Sequence, residues 1–349
     1  MAFRISLSKK TAFHLSVSLL VTGLLLFFVF NELSYPQFIE ILFNVHLGFF
    51  GAYVCCSMLG WVLRAWRTSL LLQGLRDPFP QLTFKRLLLV VGVRNALVDF
   101  LPARLGEVSF VYFLSRLGVT ALTGFASLGL GMVLDILGLC IMCGVVFLLW
   151  EPSMLPVVLT IILGVLFYYF VLSLAEITSC FARSLKHCAA RFKRPLFKRA
   201  ATTVGGWLAE LEQEFLTFRR RGMLPKLLLL SLALRVTKYG GLLLLLLAVV
   251  GQWGITLKDL HPVGVVGAFV GAEAAASLPA SGVMGFGAYE GAWSLVFKNA
   301  CQGSGCSDIP IVPVSFAVHL LSQLVGYSLG FICALTLCLI IGVNKNTRP

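Results

Sequence analysis

Charge is scarce in this chain, and acid is scarcer than base. Charged residues make up 12% of the 349 residues against 58% hydrophobic, with a mean hydropathy of +0.93, whereas soluble domains carry about 25% charged residues. That imbalance excludes a soluble globular protein. The five aspartates (Asp77, Asp99, Asp135, Asp259, Asp308) stand far apart, so the several carboxylates on facing turns that a two-metal phosphotransferase needs are missing. The five histidines (His14, His46, His187, His261, His319) show no metal-ligand spacing, and Gly129-x-Gly131 has no preceding strand to make it a nucleotide fingerprint. No metal, no cofactor and no enzymatic activity are expected. Eight of the ten cysteines lie in apolar stretches or near a basic loop, where a thiol packs as a small hydrophobe; Cys140-x-x-Cys143 inside an apolar run is read the same way.

What the chain does have is length without polarity. Six apolar runs, at about residues 12 to 31, 46 to 63, 121 to 149, 152 to 174, 226 to 250 and 314 to 342, each approach the roughly 20 residues that cross a bilayer. Little sequence remains among these 349 residues for a separate soluble domain. The net charge of +13 speaks to orientation and anionic lipid, because cytoplasmic loops concentrate Lys and Arg; nucleic acid is not an expected partner.

Arg4, Lys9 and Lys10 put the N-terminus in the cytoplasm, and Arg64, Arg67, Arg76, Lys85 and Arg86 mark the next inner loop. Residues 175 to 226 hold eleven Lys/Arg against four acids, which makes them cytoplasmic too. In that stretch Phe181, Leu185, Ala189 and Phe192, then Leu208, Leu211, Phe215 and Phe218, recur at about helical spacing. Two amphipathic helices on the inner surface are predicted over 175–225, with residues 183–199 facing anionic membrane or serving only as a solvated positive loop.

Residues 87–115 and 262–299 are apolar but interrupted by proline, glycine and charge. Orientation requires the first to enter and leave from inside and the second from outside. The expected fold is therefore an all-α polytopic membrane protein with an inverted-topology repeat, about six spanning helices and two re-entrant broken-helix hairpins. Its halves are residues 1–150, with the hairpin 87–115, and 151–349, with the basic insertion and the hairpin 262–299. Leu101-Pro102-Ala103-Arg104 recurs in outline as Leu278-Pro279-Ala280-Ser281, about half a chain length later. Lys345 and Arg348 put the C-terminus in the cytoplasm, and the setting is an integral protein of the plasma (inner) membrane.

Ionisable groups inside a bilayer are costly and mark functional sites by default. Arg94, Asn95, Asp99, Arg104 and Glu107 fall in the first hairpin, Glu273 and Glu290 in the second, and Asp135 in a span. Pro102 ends one half-helix and Gly106 permits the tight return, with Pro279 and Gly287 as the corresponding breakers. The hairpin tips are expected to build one polar chamber. There Arg104 is either the headgroup ligand, through its two-donor fork, or the counter-ion of Glu107 or Glu290; Glu273 and Glu290 are alternatively proton carriers. Arg235 and Lys238, near the inner face, are expected to snorkel. The glycines at 124, 129, 131, 138 and 144 are read as close helix packing.

Asn95, Leu101-Pro-Ala-Arg-Leu-Gly-Glu107 and Arg116, with Leu278-Pro279, Gly285-x-Gly287 and Glu290, resemble the flippase-like family related to the transmembrane domain of lysylphosphatidylglycerol synthases. The first motif matches in full, while the second departs at Val283-Met284 and Tyr289. The resemblance implies movement of a phospholipid or other polar lipid, anionic or zwitterionic, between leaflets. An integral-membrane enzyme acting on a lipid phosphate, and a scaffold of a lipid-synthesis complex, are the alternatives.

Cys301 and Cys306 flank Gln302-Gly303-Ser304-Gly305 on the side the charge count places outside the cytoplasm, where disulfides persist. A bridge is sterically feasible. Mass spectrometry of the non-reduced loop peptide, from protein purified without reductant, is expected to find the linked form; two free thiols would remove it.

Overall fold

The computed structural model describes residues 27, 35–76, 79, 82–100, 106–150, 154–191, 195–276, 286–300 and 309–346. Twelve α-helices longer than one turn occupy them: α1 (Tyr35–Phe43), α2 (Leu47–Leu75), α3 (Phe84–Phe100), α4 (Gly106–Arg116), α5 (Ala121–Trp150), α6 (Met154–Leu172), α7 (Leu174–Arg191), α8 (Pro195–Arg221), α9 (Leu224–Val250), α10 (Pro262–Ala276), α11 (Ala288–Ala300) and α12 (Ile311–Asn346). There is no strand among the described residues. Helix starts follow local chemistry. Thr120 Oγ1 accepts from the Thr123 amide at 3.2 Å ahead of α5, and Pro262 opens α10 where a missing N–H costs nothing, with His261 Nδ1 accepting from Gly264 N at 3.2 Å.

Among the described residues, four helices are long and apolar enough to cross a membrane: Leu47–Leu75, Ala121–Trp150, Leu224–Trp253 and Ile311–Ile340. A fifth span arises if Val158–Leu172 and Leu174–Cys188, bent by 55°, are taken together. The expected first span, at about 12 to 31, lies outside the described residues apart from Phe27. One expected boundary moves: α2 continues past residue 63 to Leu75, so Arg64 and Arg67 are helix residues, not loop charges. Proline and glycine are absent between 61 and 73, and nothing there stops a helix. The described residues of 87–115 belong to α3 and α4, and those of 262–299 to α10, α11 and the turn at Phe286–Gly287 that precedes α11.

The chain packs as two compact units. One comprises residues 61–91 and 110–235. Its core joins Leu71 and Leu75 of α2, Ala126, Leu130 and Leu134 of α5, Val171 of α6, Phe218 of α8, and Leu224 and Leu227 of α9. The two amphipathic helices are present as α7 and α8 and pack on each other. Leu211, Phe215 and Phe218 face the core as their spacing predicts. On α7 the buried face is instead Ala175 and Ala182, while Phe181 is exposed, because the small residues allow close approach to α8. Phe192 lies outside the described residues. Along α6 a broad apolar surface, including Leu155, Leu159, Ile162, Leu166 and Tyr169, is exposed, as a lipid-facing helix requires.

The other unit comprises residues 1–60, 92–109 and 236–349. Leu245 to Val250 of α9 are fully enclosed. Phe269 of α10 meets Trp293 of α11 with ring centroids 5.9 Å apart, and Trp293 stacks on Phe297 at 4.3 Å. Phe38 of α1 touches Phe316 of α12 edge-on at 5.2 Å.

At the base of α5, Thr123 Oγ1 donates to Glu214 Oε1 of α8, Arg76 Nη1 lies 3.9 Å from the same oxygen, and Oε2 is buried with no partner. Burial holds the Glu214 carboxyl above the usual carboxylate range. A raised folded value means that the contribution of Glu214 to stability is full below the ordinary carboxylate pKa and is lost as pH rises through the raised one. Glu214→Gln, neutral at every pH, escapes that loss. Its thermal midpoint is expected to exceed wild type at alkaline pH and to converge with it in acid; a difference constant across pH would separate the effect from titration of Glu214.

Candidate functional site

Most of the sequence-predicted ionisable residues fall in the unit formed by 1–60, 92–109 and 236–349. Asn95 and Asp99, one turn apart, lie on the last turns of α3. Gly106 begins α4, and a Cβ there would collide with the backbone of Leu97 and Val98. A glycine is needed because α4 starts directly against the α3 main chain. That approach brings Glu107 to Arg94: Arg94 Nε donates to Oε2 at 2.6 Å and Nη2 to Oε1 at 2.8 Å. Both side chains are nearly buried. The two parallel bonds match the guanidinium fork.

Two further carboxylates are held in the same unit. Glu273 of α10 accepts from Tyr239 Oη at 2.8 Å and from Lys238 Nζ at 2.9 Å, both on α9. Lys238 is therefore ion-paired and does not simply snorkel, because a carboxylate stands within its reach. Glu290 of α11 is 1% exposed. Its Oε2 accepts from the Gly287 amide at 2.6 Å, and its Oε1 lies 2.5 Å from His319 Nδ1 of α12. Gly287 has φ +97°, a left-handed conformation that glycine adopts freely, and the Glu290 carboxylate closes the helix start in the manner of a capping box. The imidazole lies between rings: Phe286 is 4.5 Å and Tyr289 4.3 Å from it, the latter stacked. Gln323 Nε2 is 3.1 Å from His319 Nε2.

Arg104, Pro102, Pro279, Cys301 and Cys306 lie outside the described residues. Asp135 belongs to the other compact unit, where Arg67 Nη1 donates to it at 2.7 Å. Arg235, expected to snorkel, is 8% exposed and donates from Nη2 to the Asp135 carbonyl at 2.6 Å; a backbone acceptor in α5 holds it inside. His319, Arg67 and Tyr239 are partners that sequence reasoning missed. His319 sits within an apolar run, and the rule that flagged the carboxylates applies to it equally.

A comparison with protein families matches residues 15–330 to the lysylphosphatidylglycerol synthase TM region. The chain belongs to this family. As a member of the lysylphosphatidylglycerol synthase TM family, with helices apolar enough to cross a bilayer, it is an integral membrane protein with a lipid-related function. A comparison with curated proteins finds no match. Carboxylates enclosed among apolar helices need cationic or donor partners, which accounts for the pairing pattern.

Removing one partner of a buried ion pair costs about 3–5 kcal/mol, because the other is left charged and uncompensated. Arg94→Gln and Glu107→Gln are each expected to lower the thermal midpoint in detergent sharply, and the double variant to recover most of the loss. Simple additivity of the two losses would mean that the side chains do not interact in the folded protein.

Proposed function

We propose that the protein moves a polar lipid, with an anionic or zwitterionic headgroup, between the two leaflets. The observation that carries this reading is the set of enclosed ionic groups at the helix breaks of a family tied to lipid synthesis: Arg94 with Glu107 at the start of α4, and His319 with Glu290 at the start of α11. Each carboxylate stands in the first turn of a helix that follows a break, where the positive end of the helix favours negative charge. In this reading α3 with α4 and α10 with α11 are re-entrant hairpins entering from opposite faces, related by an inverted repeat. Polar groups at their tips line a passage for the headgroup while the acyl chains stay in lipid. Arg104, between α3 and α4 in sequence, recognises the headgroup through its planar fork. The termini are cytoplasmic, as the basic residues near both ends imply. Arg183 and Lys186, exposed on α7, support contact of the basic helices with an anionic inner surface.

Exchange of a labelled anionic lipid between the leaflets of reconstituted vesicles tests the reading. Wild type is expected to accelerate exchange, Arg104→Ala to abolish it, and Arg104→Lys to fail almost as badly, since an ammonium keeps the charge and loses the fork. Undiminished exchange by well-folded Arg104→Ala would remove this residue from the mechanism. No exchange of any lipid by wild type would favour the enzyme or scaffold alternatives. In a cysteine-free background, single cysteines at 103 and 280 are expected to react with impermeant reagent from opposite faces; labelling of both from one face would overturn the inverted hairpins.

A further inference from the structure

The pair formed by α7 and α8 reaches past the core that holds it. Within the compact unit of residues 61–91 and 110–235, the base of this pair joins Leu71 and Leu75 at the end of α2, Ala126 near the start of α5, and Leu224 and Leu227 at the start of α9. All three helices are apolar enough to cross a membrane, so the base rests across one end of three spanning helices. Arg219 Nη1, near the end of α8, donates to Glu176 Oε1, near the start of α7, at 2.6 Å. The two helices therefore run antiparallel, and the end of α7 and the start of α8 lie away from the core.

Val204, Trp207, Leu211, Glu214 and Phe218 follow one another at spacings of three and four, which makes them one stripe of α8. At the base the stripe is enclosed: Phe218 is 3% and Glu214 7% exposed, and Leu211 packs against the core. Further out on the same stripe Trp207 is 55% exposed, with Val204 exposed beyond it. The partner helix repeats the pattern. Leu174 of α7 packs against the same core, and Ile177 and Phe181, which follow it at spacings of three and four, are exposed, Phe181 at 68%. Both stripes start from one cluster and so share a face. Ala182 and Ala201 are buried instead, because the two helices meet through their small residues and leave the stripes uncovered. Each stripe runs about 10 Å of helix beyond its last core residue.

A face that rests on the ends of spanning helices points into the bilayer, and its continuation beyond them meets lipid. Charge agrees with that occupant. From Ile177 to Ala209 the chain carries seven Lys/Arg and no acid, while Glu176, Glu210, Glu212 and Glu214 all stand toward the base. We propose that the outer part of α7 and α8 is an anchor that inserts Ile177, Phe181, Val204 and Trp207 into the anionic leaflet surface at these span ends, with its basic residues held among the headgroups. Tryptophan and phenylalanine on one face with cations around it are what such an interface takes up, and each basic residue near an anionic surface adds to the attraction. The inference extends the surface contact of the basic helices put forward above. It names the face that enters lipid and does not depend on transport.

Depth-dependent fluorescence in reconstituted vesicles tests this, and because it reads insertion without lipid exchange, its failure and that of the transport reading are told apart. In a cysteine-free full-length chain, Phe181→Cys, Trp207→Cys, His187→Cys and Thr202→Cys are labelled one at a time with an environment-sensitive dye, in vesicles of phosphatidylglycerol and phosphatidylcholine that carry a doxyl-labelled lipid. His187 and Thr202 are exposed, six residues after Phe181 and five before Trp207, and so lie on the opposite sides of their helices. The dye at 181 and 207 is expected to shift to the blue and to lose most of its emission to the doxyl lipid, and at 187 and 202 to stay water-like. Quenching at 181 and 207 is expected to be weaker in phosphatidylcholine alone; equal quenching in both would overturn the commitment to an anionic surface. Water-like emission at 181 and 207 would overturn insertion. A blue shift without lipid quenching would overturn it too, in favour of a second copy of the chain or another protein on this face, and quenching at all four sites would overturn one-sided contact. Should the cysteine-free chain fail to fold, brominated lipid is applied to the native chain and to Trp207→Phe. The native chain is expected to show a lipid-quenched tryptophan component that the variant lacks, and identical quenching of the two would overturn the proposal.

Discussion

The structure depends on one constraint: a charge placed among apolar helices has to find a partner before the helices can close around it. A guanidinium or carboxylate in hydrocarbon has no water to fall back on. Arg94 with Glu107, Lys238 and Tyr239 with Glu273, His319 with Glu290, and Arg67 with Asp135 all obey it. Each pair joins different helices, so the same electrostatic requirement also fixes which helices pack together. Hydrophobic burial cannot do that in a bilayer, where lipid tails are as apolar as leucine. Selectivity of packing falls to polar pairs and to shape.

Shape is supplied by the smallest side chains. Gly106 lets α4 begin against the main chain of Leu97 and Val98, and Gly144 accepts Thr160 of α6 against α5. Gly131 and Gly138 differ in what they admit, since the atoms nearest to them include those of arginines. Small residues and ionic pairs are therefore parts of one device here. A glycine opens the space, and a long cationic side chain fills it with an apolar stem and a charged tip.

Much of the helical layout was legible because bilayer thickness leaves a strong signal in sequence. The runs near 46 to 63, 121 to 149, 226 to 250 and 314 to 342 all became long helices. The run near 152 to 174 became a shorter one that bends into the next at Ser173. The end of α2 was not legible, for an instructive reason. Arg64 and Arg67 have the composition of an inner loop, and only the partner at Asp135, distant in sequence, shows them to belong inside. The same holds for His319, whose role appears only when Glu290 is brought to it. Composition reveals the cost of an internal charge and says nothing about the residue that offsets it. On α7 the error was of another kind: helical spacing picked the large residue Phe181, while close packing against α8 selected the small Ala182.

Glu107 and Glu290 occupy equivalent places, each in the first turn of a helix after a break, yet their partners differ in chemistry. Arg94 comes from the preceding helix and grips both oxygens of Glu107 through its planar fork, so the link between α3 and α4 is local. His319 comes from α12 and meets one oxygen of Glu290 through Nδ1 at 2.5 Å. The Gly287 amide engages the second oxygen of Glu290. The start of α11 is thus fixed by its own backbone, while its tie to α12 runs through a single imidazole. The two carboxylates do the same work at a helix start, but Glu107 is tied to the helix just before it in the chain and Glu290 to a helix that follows it.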